Sequence, residues 1–165
     1  MPETAHVKRL GFSIFCAALI ALVSLSSAEG KNGWLSNFKE AQEQAKSSKK
    51  LVLVDFTGSD WCGWCIKLDK EVFSTPEFQE YAGKNLVLME ADFPRRKELP
   101  SEVKSQNERL AQDLGIQGFP TLVVFDSEGK KLAEFGYEAA VPPNSGKTQA
   151  TPQAFIARLE QLRKG

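Results

Sequence analysis

Histidine is almost missing from this chain, with His6 the single one among 165 residues, and cysteine occurs three times. Together these scarcities exclude several chemistries. A cysteine hydrolase ordinarily needs a base, most often histidine, to orient and deprotonate its thiol. A structural zinc site ordinarily takes four nitrogen or sulfur ligands. Covalent haem attachment wants histidine directly after the second cysteine of a C-x-x-C, where Ile66 stands. No metal and no cofactor is therefore called for. Charge of one sign is lacking too: 21 Lys and Arg face 21 Asp and Glu. Nucleic-acid binding, which goes with a basic excess, has no support. There are no internal repeats.

Only one apolar run is long, Leu10 to Leu25, behind the basic Lys8 and Arg9 and ahead of the small Ser26-Ser27-Ala28. It falls short of the roughly 20 residues a spanning helix needs, and no basic stop follows. The pattern reads as a secretory signal over residues 1–28, cleaved after Ala28, with an uncleaved membrane anchor as the alternative. Cys16 sits inside this run behind Ile14 and Phe15, not behind the small residues that precede a lipid-attachment cysteine, so it leaves with the signal. His6 leaves as well. Removing Lys8, Arg9 and Glu3 from the 21 and 21 leaves 19 basic and 20 acidic side chains, a net charge of −1. Residues 29–165 are then one domain with one core. An exported chain enters a compartment where disulfides persist, and Cys62 and Cys65 remain as an even pair.

That pair is the most informative feature present. Trp61-Cys62-Gly63-Trp64-Cys65 follows an apolar strand pattern, Leu51 to Phe56, and opens a helical one with Cys65, Leu68, Val72 and Phe73 on its apolar side. A first thiol at a helix start is expected to be exposed, close to unpaired N–H groups and within closing distance of a second thiol. The helix dipole, equivalent to roughly half a positive charge there, favours thiolate. A structural disulfide is the competing reading.

Along the rest of the chain, Trp34, Leu35, Phe38, Ala41 and Ala45 recur at helical spacing. Thr75-Pro76 starts a short helix that Gly83 closes, and Leu86 to Ala91 is the next strand. Phe93 to Pro100 reads as a solvated loop, with a basic contact for a partner as the alternative. Ser101 caps a helix ending at Gly115. Leu122 to Phe125 and Lys131 to Phe135 flank a turn containing Gly129, a hairpin signal. An irregular segment, 139–151, leads to a last helix from Thr151-Pro152. Alternating helices and strands imply parallel pairing, with the hairpin adding antiparallel strands at one side.

Three motifs, Val54-Asp55-Phe56, Trp61-Cys62-Gly63-Trp64-Cys65 and Gly118-Phe119-Pro120-Thr121, make the chain resemble the thioredoxin fold family, and specifically its exported members. The resemblance implies an α/β thioredoxin fold, a central mixed β-sheet flanked by helices. It implies that Cys62 attacks a substrate disulfide and that Cys65 resolves the mixed disulfide, leaving a Cys62–Cys65 disulfide. It implies that Pro120 is the family's cis-proline, with Phe119 offering its backbone to an extended substrate, and that Trp61, Gly63 and Trp64 complete the substrate face. Trp61 is expected to bond a nearby carboxylate through its indole N–H, or simply to pack. Asp55 interrupts an apolar strand, where burial of an ionised carboxylate is costly and should raise its pKa. In the family the matching acid moves the second cysteine's proton. Here Asp55 precedes Cys62 by seven positions, one more than the family's usual spacing, so the extra residue either displaces the acid or is absorbed as a bulge.

Gly63-Trp64 departs from the Gly-Pro of cytoplasmic thioredoxins and lacks the histidine of strong oxidants. The resulting expectation is a monomeric, periplasmic thiol–disulfide oxidoreductase that reduces protein disulfides and is recharged by a membrane-embedded electron donor. The alternatives are an oxidase or isomerase on the same fold, and a non-catalytic binding module with a permanent disulfide.

Overall fold

The computed structural model describes residues 33–164 together with Met1. The signal expected over 1–28, with Cys16 and His6, otherwise lies outside the described residues. Among these, no helix is long and apolar enough to cross a membrane.

Four strands form one mixed sheet in the order β2-β1-β3-β4. They are β1 (Leu51–Thr57), β2 (Leu86–Asp92), β3 (Thr121–Phe125) and β4 (Lys131–Phe135). Strand β1 lies in the middle, parallel to β2 and antiparallel to β3. With helices on both faces, a central strand has no solvated side, which explains the unbroken apolar run. Every residue from Val52 to Thr57 is buried. The β3–β4 hairpin is antiparallel, and its edge strand β4 has no fully buried residue, Lys131 and Glu134 being exposed and the other three half-buried.

The helices are α1 (Phe38–Ser48), α2 (Gly63–Leu68), α3 (Pro76–Asn85), α4 (Ser101–Leu114) and α5 (Pro152–Lys164). A π-helical turn over Asp69–Phe73 prolongs α2. Leu53, Leu68, Phe73, Phe78, Leu122, Phe155 and Leu159 fill one side of the sheet, beneath α2, α3 and α5. Val52, Val54, Phe56, Met89 and Val123 fill the other, beneath α1 and α4. Burying each large side chain contributes roughly 1.5–3 kcal/mol. Strand side chains alternate between faces, so Asp55 shares the face of Leu53, the one covered by the helix that carries the cysteines.

Several local expectations are corrected. Trp34 and Leu35 do not belong to the first helix. Asn37 caps it, its side chain accepting from Glu40 N–H at 3.0 Å, and the chain before it runs extended beside β2. Leu35 N–H donates to Leu88 O and Leu35 O accepts from Glu90 N–H, at 2.9 and 2.8 Å, so these backbone bonds override the helical spacing. Gly83 does not close α3, which runs on to Asn85. Pro100, not Ser101, is the N-cap of α4 and offers no side-chain bond. Thr75-Pro76 does start α3, with Thr75 Oγ1 accepting from Phe78 N–H at 3.3 Å. Within the irregular segment after β4, Ala139, Ala140 and Ala150 are buried in the core.

Candidate active site

Strand β1 delivers the chain to a turn at Gly58, where Trp61 N–H and Cys62 N–H both donate to Gly58 O, at 3.2 and 2.8 Å. Cys62 is the N-cap of α2, and its Sγ accepts from Cys65 N–H at 3.3 Å. Cys62 and Cys65 are joined in a disulfide, with Cα atoms 5.3 Å apart. Cys62 was expected to be exposed. In this oxidised form it keeps 7% of its surface and Cys65 keeps 4%.

The extra residue before the cysteines is not a bulge. Strand β1 keeps continuous register with β2 from Leu51–Leu86 to Thr57–Asp92, and with β3 from Val52–Phe125 to Phe56–Thr121. The additional length lies in the turn after Thr57, where it does structural work. Ser59 donates from N–H and Oγ to the two oxygens of Asp92, at 2.9 and 2.7 Å. Asp60 accepts the backbone N–H groups of Arg95 and Arg96, at 3.0 and 2.7 Å. Those bonds hold the Asp60 carboxyl below its ordinary pKa, the Arg95 N–H contributing most.

The segment after β2 is the solvated loop expected, with Arg95, Arg96, Lys97 and Glu98 exposed, and in addition two carboxylates fasten it to the active-site turn. Asp92 is buried, pairs with Lys97 Nζ at 2.8 Å, and has its backbone O bonded by the buried Asn107 amide at 3.0 Å. Asn107 was not singled out from sequence, since nothing separates it from the other polar residues of α4. Gly58 was missed as well. A Cβ there would lie 2.5 Å from Trp61 Cε2, so only glycine lets the indole lie against the turn.

Trp61 donates its indole N–H to the backbone O of Phe93 at 2.7 Å, not to a carboxylate. The Arg95 guanidinium lies over its ring at 3.7 Å, and Phe119 meets it edge-on at 6.0 Å. Phe119 also stacks on Phe93 at 5.0 Å. The Phe119–Pro120 bond is cis, as the resemblance implied. Trp61, Phe119 and Phe93 thus form one aromatic wall, tied to the cysteines through the Trp61-Cys62 peptide, with Pro120 joined to it through the cis bond to Phe119. Gly63 is exposed, with open space where a Cβ would stand. Trp64 is 55% exposed and packs against Tyr137 at 4.9 Å. Asp55 is 5% exposed, opposite Glu90 on β2 and Leu122 on β3.

Fold and site together define a class, a helix-flanked mixed sheet whose central strand feeds a two-cysteine redox pair at a helix start. Comparison with known proteins names the class. A family described as thioredoxin-like domain matches residues 38–144, and the chain belongs to it. Over 102 residues it is 41% identical to the disulfide bond reductase DsbH of Chlamydia pneumoniae, covering 62% of this chain and 61% of that protein. Over 101 residues it is 31% identical to the thiol:disulfide interchange protein DsbD of Photorhabdus laumondii, covering 61% of this chain and 16% of that one. The alignments therefore span less than two thirds of these relatives' lengths. A solved structure of a DsbH oxidoreductase superposes with a TM-score of 0.68 at 29% identity, covering 99% of this chain and 95% of its own.

Proposed function

We propose that this chain is a thiol–disulfide oxidoreductase that reduces protein disulfides. The observation that carries the reading is Cys62 at a helix N-cap, bonded to Cys65 and with its Sγ within 3.3 Å of Cys65 N–H. In the reduced protein, Cys62 thiolate attacks a substrate disulfide, forms a mixed disulfide and expels the other substrate sulfur as thiolate. Cys65, on losing its proton, attacks Cys62 Sγ. The Cys62–Cys65 disulfide closes as the mixed disulfide breaks, the second substrate sulfur leaves as thiolate, and two electrons have passed to the substrate.

Asp55 takes the Cys65 proton in this scheme, supported by its burial on the sheet face that α2 covers. Trp61, Gly63, Trp64, Phe119 and Pro120 form the face that receives the substrate, with Phe119 offering its backbone to an extended segment. The reducing direction is supported by the similarity to a protein named a disulfide bond reductase, and by the lack of a charged side chain at Gly63-Trp64. The apolar run behind Lys8 and Arg9 supports export as a domain over 29–165 to the periplasm. There a membrane-embedded dithiol donor would return the two electrons.

Insulin reduction tests the reading. The reduced protein should precipitate the insulin B chain, and Cys62→Ser should not. A wild-type protein that leaves insulin intact would make this a binding module with a permanent disulfide.

A further inference from the structure

Trp64 and Ile66 are the large apolar side chains left exposed among the described residues beyond the terminal Met1, at 55% and 48%. Both stand on the short helix that carries the cysteines. Trp64 is nonetheless held in place. Its ring packs on Tyr137 at 4.9 Å, and the Lys67 ammonium lies 5.0 Å from the Trp64 centroid and 5.4 Å from that of Tyr137.

Tyr137 comes from the far end of the chain, after β4, and Glu71 fastens it. Glu71 Oε2 accepts from Tyr137 O–H at 2.5 Å and from Ala150 N–H at 3.1 Å, and Ala150 N–H also reaches the Tyr137 oxygen at 3.0 Å. The Glu71 side chain is 14% exposed. One carboxylate on the prolonged active-site helix therefore docks both ends of the 137–150 segment. The second Glu71 oxygen stands 4.0 Å from Lys67 Nζ, at the limit of an ion pair, so Lys67 keeps most of its capacity to attract another carboxylate.

We propose that Trp64, Tyr137 and Lys67 form a recognition platform for the substrate polypeptide, and that Glu71 is its positioning residue. The occupant is an extended segment carrying the target disulfide, with an aromatic or aliphatic side chain followed by an acidic one beside the attacked cysteine. The apolar group covers the exposed Trp64 surface, and the carboxylate meets the Lys67 ammonium, already held in place over two rings. The platform rests on the oxidoreductase reading and adds to it a preference among substrates. Electron flow is unchanged: Cys62 attacks, the substrate thiolate leaves, and Cys65 closes the disulfide.

The test is single-turnover reduction by the pre-reduced protein of two synthetic peptides, each with one internal disulfide, differing only in Phe-Glu or Phe-Lys after the cysteine. Neutral hydroxyethyl disulfide serves as a probe with no side chains to recognise. The half-saturating concentration should be about fivefold lower for the Phe-Glu peptide, as expected for exposed charges, with equal limiting rates. Lys67→Glu should invert the order of the peptides. Glu71→Gln keeps an acceptor for Tyr137 and Ala150 while releasing Lys67 from its counter-charge, and should widen the preference. Glu71→Ala undocks the segment and should raise the half-saturating concentration of both peptides. Should Glu71→Ala not fold, the Lys67→Glu inversion decides. Equal half-saturation of the two peptides by a wild-type protein that still reduces hydroxyethyl disulfide overturns the platform alone. No reduction of any disulfide overturns the oxidoreductase reading, and the platform with it.

Discussion

Gly58→Ala puts one methyl group where the structure has no room for it. Its Cβ would stand 2.5, 2.7 and 2.8 Å from Cε2, Nε1 and Cζ2 of Trp61. Real Cβ contacts do not come so close, so the indole must move. It is not free to do so, being bonded to Phe93 O at 2.7 Å and covered by Arg95 at 3.7 Å. Overpacking of this kind costs about 1–3 kcal/mol. Loss of the indole hydrogen bond adds roughly 0.5–1.5 kcal/mol. Alanine returns about 0.4–1 kcal/mol by restricting the unfolded chain, because Gly58 does not hold a left-handed conformation. The net expectation is destabilisation of about 0.5–4 kcal/mol, centred near 2 kcal/mol. Because Cys62 N–H is bonded to Gly58 O, the same displacement should slow reduction of protein disulfides. Urea unfolding of the oxidised proteins reads the first effect, and insulin reduction reads the second. A variant within about 0.5 kcal/mol of the parent, the range of neutral surface changes, with unchanged tryptophan emission would refute the tight packing of Trp61 on the turn.

Asp55→Asn should slow resolution of the mixed disulfide by about a hundredfold, the low end of general acid–base effects, while leaving its formation nearly unchanged. Stopped-flow measurement of both steps checks this, and equal rates in mutant and parent would make Asp55 structural. In the reduced protein, limited iodoacetamide should label Cys62 ahead of Cys65, read by mass spectrometry, because Cys62 is the N-cap and Cys65 lies inside the helix. The Tyr81 phenol is pushed up to about 12 by burial and by its bond to Glu160. The unfolded chain, with a tyrosine pKa of about 10, loses that proton first, so this contribution to stability is whole below pH 10 and is lost as pH rises towards 12. Unfolding midpoints across that window should fall more steeply in the parent than in Tyr81→Phe, and parallel curves would contradict it.

Much of the architecture was legible because the strongest signals are apolar and periodic. Strand β1 is buried on both faces and reads as an unbroken run, while Thr75-Pro76 and the Gly129 turn announce their neighbours through backbone chemistry. What was not legible depends on partners distant in sequence. The spacing of Trp34 and Leu35 fits a helix, yet bonds to Leu88 and Glu90 hold the segment extended. Arg95, Arg96 and Lys97 read as solvated and are exposed, but nothing local announces that Asp60 and Asp92 will anchor their segment. The site shows the same division. The cysteines, Trp61 and Pro120 belong to short motifs that can be read directly. Gly58 matters only through the indole against it, and Glu71 only through Tyr137 and Ala150, which no sequence pattern connects. The extra residue between Asp55 and Cys62 was visible, but its place in the turn emerged only from the continuous register of β1 with both neighbours.

The central claim, that the Cys62–Cys65 pair donates electrons to protein disulfides, is tested most directly by its reduction potential. A strong oxidant in this fold stabilises its reduced thiolate with charge between the cysteines, and Gly63-Trp64 supplies none. Equilibration of the protein with glutathione buffers, followed by acid trapping and separation of the reduced and oxidised forms, gives the value. The account predicts a potential near the reducing end of the family, about −270 mV, and a value above about −180 mV would contradict it in favour of an oxidase or isomerase.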